Sequence, residues 1–210
     1  MTDRRHAAMK HKSALETELK LRIPATGPFR SLLEALGFHE VTPSQPEISV
    51  LWDRNGELRA AGSALRTRVY AGQTRLTWKG PKVPDAVLKI RPELETGVEG
   101  LEPLEAILGA LGFEPVMRME KRRAVWKRED RAGAASHRTE SGPEGVAQDG
   151  PRVELEACLD ETPFGCYLEL EGEPLAIRAA MEGLGLAPDR AEPRSYPELY
   201  QANGLGSTGP

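Results

Sequence analysis

The chain is short of the residues that most often carry catalysis or metal binding by themselves. Its only cysteines are Cys158 and Cys166, too few for a disulfide framework and without the C-x-x-C spacing of zinc or redox sites. Both are expected to be reduced, structural thiols. His6, His11, His39 and His137 stand in no ligand spacing. No G-x-x-x-x-G-K-[ST] occurs, and Gly183-x-Gly185 lacks a preceding strand and a third glycine, so neither a P-loop nor a dinucleotide fold is supported. No run approaches about 18 apolar residues, which removes a spanning helix. Arg4, Arg5, Lys10 and Lys12 lead into no apolar segment, so the N-terminus does not read as a signal peptide. A cytoplasmic, reducing location is the resulting expectation. A large charge excess is missing too: 28 basic against 32 acidic residues leave a net charge of -4. That balance gives no reason to expect a nucleic-acid partner, and nothing points to a membrane partner.

What is present is an alternation. Glu16, Glu18, Lys20 and Arg22 take every second position, with Leu15, Thr17, Leu19, Leu21 and Ile23 between them. A β-strand sends successive side chains to opposite faces, so this stretch has one charged face and one apolar face. The same grammar returns with Arg66 and Arg68, then Arg75 and Lys79, then Lys89, Arg91, Glu93 and Glu95, then Lys121 and Arg123. It closes with Glu154 and Glu156, and with Glu169 and Glu171. Between these strands, periodic leucines and glycine stops predict helices over about residues 28–36, 101–111 and 174–184. Ala71-Gly72-Gln73 predicts a hairpin.

At 210 residues the chain suits one well-buried domain. The expected division is a flexible arm over 1–14, a single domain over 15–202 and a flexible tail over 203–210. Inside the domain, residues 130–150 are rich in Gly, Ala, Ser and Glu, and are expected to form a mobile loop.

Two architectures accommodate the alternation. One is a sandwich with its charged faces in water. The other closes the strands into an antiparallel barrel of about eight strands, apolar side outward under the helices and charged side lining the lumen. The second puts ten cations and eight carboxylates inside, counting the pairs named above. Such burial costs several kcal/mol per ion unless a charged ligand is bound there. Arg and Lys suit phosphoryl oxygens. Glutamates at i, i+2 suit hard Mg²⁺ or Mn²⁺. Together these are the parts of metal-assisted phosphoryl transfer.

In order along the chain, Glu16-x-Glu18-x-Lys20, Arg66-x-Arg68, Lys79 before Gly-Pro, Arg91 ahead of Glu93-x-Glu95, Lys121-x-Arg123 and Glu169-x-Glu171 resemble the CYTH superfamily, the triphosphate tunnel metalloenzymes. The likeness runs over about residues 15 to 200. Arg194 to Tyr200 is similar to the closing motif of the class IV cyclase-like branch, with Tyr200 where a leucine is usual. The resemblance implies an α+β fold: an eight-stranded closed antiparallel tunnel with charged lumen and helices outside. It implies a triphosphate-bearing substrate, with Mg²⁺ or Mn²⁺ as cofactor. Carried over by position, Glu16, Glu18, Glu169 and Glu171 would hold metal, and Lys20, Arg66, Arg68, Lys79, Arg91, Lys121 and Arg123 would grip phosphates. Glu16, Glu18 and Lys20 would carry catalysis. Arg22, Arg75, Lys89, Glu93, Glu95, Glu154 and Glu156 are further lumen candidates. The leading expectation is hydrolysis of inorganic tripolyphosphate, thiamine triphosphate or a nucleoside triphosphate. Alternatives are a class IV adenylyl cyclase making cyclic AMP and pyrophosphate, and a non-catalytic polyphosphate- or nucleotide-binding module. An exposed apolar barrel patch is a candidate surface for a homodimer.

Overall fold

In a computed structural model, which describes residues 14–85, 87–131 and 152–206, the strands close on themselves. They are β1 (Ala14–Ile23), β2 (His39–Asp53), β3 (Ala64–Tyr70), β4 (Gln73–Lys79), β5 (Lys89–Val98), β6 (Glu114–Arg131), β7 (Arg152–Thr162) and β8 (Gly165–Glu171). Their order round the barrel is β1-β5-β4-β3-β2-β6-β7-β8, with every neighbouring pair antiparallel. The sandwich alternative is thereby excluded. A closed sheet has no free edge, so each strand's backbone groups find partners on both sides.

The helices follow the leucine spacing to within a residue: α1 (Gly27–Ala35), α3 (Leu101–Ala110) and α4 (Pro174–Gly183). Between α1 and α3 lies one unforeseen turn of helix, α2 (Glu57–Ala60). Near the C-terminus comes α5 (Tyr196–Ala202), also unforeseen, whose start is fixed by a capping box between Ser195 and Glu198. α1 and α4 bury Phe29, Leu33, Ile177 and Met181 against the outward faces of β1, β7 and β8, where Leu19, Leu21, Leu155, Leu159, Leu168 and Leu170 form the main core. α3 covers a smaller cluster through Leu104 and Leu108 against Trp52. On β1, β7 and β8 the apolar half therefore faces helices, and most of the charged half faces the lumen.

Three boundaries differ from the sequence reading. Ala14 belongs to β1, and Asp130 and Arg131 continue β6, where the sequence reading placed them in the arm and the loop. The start of the expected tail is held in place: the Gly206 carbonyl accepts from the Arg118 amide at 3.2 Å. The remainder of the arm, loop and tail lies outside the described residues. β2 runs through Pro43 and Pro46 as one strand because its pairing with β6 shifts register around Thr42 and Gln45. Such bulges are where a sheet tolerates proline. Among the described residues no helix is long and apolar enough to cross a membrane.

Candidate active site

The barrel encloses a cavity of about 1180 Å³. Glu16, Glu18 and Lys20 reach it from β1, Arg66 and Arg68 from β3, Arg75 and Lys79 from β4, and Arg91, Glu93 and Glu95 from β5. β6 adds Lys121 and Arg123, β7 adds Glu156, and β8 adds Glu169 and Glu171. These all follow from strand parity, and antiparallel closure brings them to one lumen. Lys89 is buried at its edge, with Nζ 3.1 Å from both Glu18 Oε1 and the Arg194 carbonyl. Two candidates fall elsewhere. Arg22 is exposed beside the Gly165 turn, because the last residues of β1 pass the end of the cavity. Glu154 is exposed and lines an acidic cleft of about 520 Å³ that adjoins the lumen and shares Glu16, Glu93, Glu95 and Glu171 with it.

The lumen is polarised. Lys20 lies 3.3 Å from Glu169, which also takes a bond from Arg123. Arg123 Nε and Lys121 Nζ donate to Asp160 at 2.7 and 2.8 Å. Glu95 pairs with Arg68 at 3.1 Å and with Arg75. Two cations of this wall have no carboxylate partner among the described residues. Arg91 donates only to the Gly80 carbonyl, and Arg66 makes no hydrogen bond or ion pair. A half-buried guanidinium with unused N–H donors is a seat for an anion.

The opposite side gathers carboxylates. Register sets Glu18 beside Glu171 and Glu171 beside Glu156. Burial, followed by repulsion from Glu16 and Glu156, pushes Glu171 up to about 8. Burial and a hydrogen bond shared with Glu93 push Glu16 up to about 7, although Lys79 lies 2.5 Å away. In the basic layer the reverse holds for Lys20, which burial lowers to about 8.

Among the described residues no three His, Cys, Asp or Glu side chains converge as a ready-made metal cage. Glu16 is engaged by Lys79 and Glu18 by Lys89, and Glu169 sits among cations. In donor chemistry and charge the acidic side nonetheless fits a divalent cation. Its groups are carboxylate oxygens, the ligands hard cations prefer. Glu16 and Glu171 hold protons near neutrality, first because they are buried and then because negative charge is crowded there, a condition that a bound cation relieves.

Three lumen residues are absent from the sequence-derived set. Asp160 is fully buried and binds Lys121, Arg123 and the Tyr196 hydroxyl. Its signal was available, since it shares parity with Glu154 and Glu156. Glu47 on β2 is 3 % exposed and faces Lys121, Arg123 and Arg68. Proline-interrupted alternation concealed it. Tyr196 enters from α5, with its ring under Lys20 Nζ at 3.6 Å and under Lys121 Nζ at 3.9 Å. No strand pattern announces a residue on a returning helix.

A closed eight-stranded antiparallel tunnel lined by both cations and carboxylates defines the class of barrel. The chain belongs to the CYTH domain family, whose match spans residues 14–179. A Methanocaldococcus jannaschii protein named "Putative adenylate cyclase" is 32% identical over 196 residues, covering 88% of this chain and 98% of that protein. Two solved structures share the fold. One is a Vibrio parahaemolyticus protein described as a "putative adenylate cyclase", with TM-score 0.66 and 19% identity over 90% of this chain and 99% of that one. The other is a Hippeastrum protein described as a "putative adenylyl cyclase" with dominant triphosphatase activity. Its TM-score is 0.60 at 20% identity, over 90% of this chain and 96% of that one.

Proposed function

We propose that the lumen binds a small triphosphate and hydrolyses it with the help of a divalent metal. The observation that carries this reading is that one cavity holds both guanidiniums with no carboxylate partner among the described residues, at Arg66 and Arg91, and proton-retaining carboxyls, at Glu16 and Glu171. In phosphoryl transfer a protein mostly positions groups and neutralises charge, and this lumen is built for both tasks.

Arg66, Arg68, Lys121 and Arg123 hold the phosphoryl oxygens, Arg by its planar fork and Lys as a point charge. Lys20 supports them from the β1 side, braced against Glu169 and the Tyr196 ring. Lys79 and Arg91 lie where cations meet the carboxylates, Lys79 against Glu16 and Glu93 and Arg91 beside Glu16. Glu16, Glu18, Glu169 and Glu171 are the groups that would hold Mg²⁺ or Mn²⁺, which would neutralise phosphoryl oxygens and acidify the attacking water. The water oxygen bonds to the terminal phosphorus as that phosphorus parts from its bridging oxygen, releasing orthophosphate and a diphosphate.

Inorganic tripolyphosphate, thiamine triphosphate and ATP are each incubated with the protein and Mg²⁺ or Mn²⁺, and products are separated by chromatography. Orthophosphate from at least one substrate, lost on chelation, is the expected result. No orthophosphate from any of the three would sink the reading. The name carried by the M. jannaschii relative favours a second reading, in which the ribose 3′-hydroxyl of ATP attacks the α-phosphorus. Cyclic AMP and pyrophosphate would then replace orthophosphate. Calorimetric binding of tripolyphosphate with no turnover over a day would support a non-catalytic module instead.

A further inference from the structure

Glu47 is unlike the other lumen carboxylates bound by cations. Lys79 lies 2.5 Å from Glu16, Lys89 lies 3.1 Å from Glu18, and Lys121 lies 2.8 Å from Asp160. Glu47 is 3 % exposed and is faced by three cations, yet none comes into hydrogen-bond contact. Lys121 Nζ is 3.6 Å from Oε1, Arg123 Nε is 3.6 Å from Oε2, and an Arg68 terminal nitrogen is 3.8 Å from Oε2. The Ser49 hydroxyl donates to Oε1 at 3.4 Å, and Oε2 accepts nothing.

The arginines of the same wall mirror this. Arg66 Nε and Arg68 Nε are buried donors without acceptors. Donors and an acceptor are thus left open in one lumen without satisfying each other, although buried polar groups are nearly always paired. A ligand that satisfies all three must offer acceptor oxygens to the arginines and an O–H to Glu47, since an ionised carboxylate can only accept. A phosphoryl group carrying one proton offers both. A tetrahedral anion with no proton offers only acceptors, and would set its negative oxygen against that of Glu47.

We infer that Glu47 is a specificity-determining residue that accepts the proton-bearing oxygen of a phosphoryl group or of orthophosphate, and so makes the lumen discriminate against fully deprotonated tetrahedral anions. The inference rests on the lumen being a phosphate site, as proposed above. A charged acceptor among cations weakens overall anion affinity but imposes selectivity, which is a difference between affinities and often built from repulsion. The cations hold the Glu47 carboxyl ionised against the effect of burial, so the acceptor is available at neutral pH.

Calorimetric titration of the metal-free chain with inorganic phosphate and with sulfate at pH 7.5 tests this, because phosphate keeps a proton there and sulfate has none. Wild type is expected to bind phosphate at least about tenfold more tightly than sulfate, a difference of about 1.4 kcal/mol. In Glu47→Gln the repulsion is gone and the amide can donate, so sulfate binding should tighten about tenfold and the preference should collapse. Glu47→Asp keeps the charge and should keep the preference. Equal binding of the two anions by wild type, or binding of neither, overturns the inference without any variant. So does an unchanged preference in a Glu47→Gln protein with native circular dichroism. None of these readings depends on turnover, so failure of the proposed triphosphatase activity would be seen separately.

Discussion

Lys79 reaches from β4 to β1, where its Nζ lies 2.5 and 2.6 Å from the two carboxylate oxygens of Glu16. A member of the phosphate-gripping set is thereby tied to a member of the metal-holding set, and Lys79 is also 2.8 Å from Glu93. Because Glu93 remains as a counter-charge, Glu16→Gln should not leave Lys79 an uncompensated buried ion. The proposed site predicts that this variant loses about 100-fold or more in turnover, since a charge used on the reacting phosphoryl group is worth several kcal/mol. Its melting temperature should stay close to that of wild type. Wild-type phosphate release by Glu16→Gln would remove Glu16 from the chemistry.

Lys20 gives the site a pH limit. Burial lowers it from the ordinary 10.5 to about 8, against the opposing pull of Glu169. Below about 8 it is charged and can hold a phosphoryl oxygen, and above about 8 it progressively loses that charge. KM for tripolyphosphate should therefore rise between pH 8 and 9.5. In Lys20→Arg the guanidinium stays charged, so the rise should flatten. Stability has the opposite sign: between about 8 and 10.5 the unfolded chain binds the proton that folded Lys20 has lost, so this residue makes folding more favourable as pH increases. An identical KM rise in Lys20→Arg would assign the pH limit to another group.

The sequence announced the tunnel because a strand keeps strict parity. Glu16, Glu18 and Lys20 could be set on one face without any coordinate, and so could Glu169 and Glu171. Parity fails where pairing slips. In β2 the register shifts around Thr42 and Gln45 uncouple sequence position from face, and Glu47 was lost there. Parity also says nothing about where a strand leaves the cavity, so Arg22 looks like Lys20 in sequence yet lies exposed past its end. Tyr196 lies inside the Arg194–Tyr200 stretch noted above, yet nothing in that stretch says which strands α5 packs against. Its place under Lys20 and Lys121 is a tertiary fact.

Glu47 should also be visible in acid stability. Burial alone would raise its carboxyl, but Lys121, Arg123, Arg66 and Arg68 together hold it down to about 2, against an ordinary value of 4.5. A depressed carboxylate contributes stability that is present above its unfolded value and lost as pH falls through its folded one, here from about 4.5 to about 2. Glu47→Gln should lower stability at pH 7 by about 2 kcal/mol, a moderate loss because Lys121 and Arg123 keep Asp160. The gap from wild type should close as both proteins are titrated below pH 4. Thermal melts across pH 2.5 to 7 measure this. A constant gap would mean that the variant loses packing and not a charge interaction.

The β3–β4 hairpin offers a stabilising change away from the charged wall. Tyr70 pairs with Gln73, leaving Ala71 and Gly72 as a two-residue loop with φ of 51° and 71°. Positive φ at both central positions marks the turn type that matches strand twist, for which Asn-Gly is the preferred sequence. Gly72 adopts it freely, whereas Ala71 brings its Cβ close to the following carbonyl at a cost of roughly 1–2 kcal/mol. Asparagine tolerates this region better than alanine, so Ala71→Asn should stabilise the fold by about 0.5–1 kcal/mol, or about 1–4 °C in melting temperature. Ala71→Val should move the other way, because a β-branched residue is poorly accommodated at positive φ. Ala71 is exposed and reaches only the rim of the cavity, so phosphate release should change less than about twofold in Ala71→Asn. Equal melting temperatures for the asparagine and valine variants would show that this turn does not hold the strain its backbone angles imply.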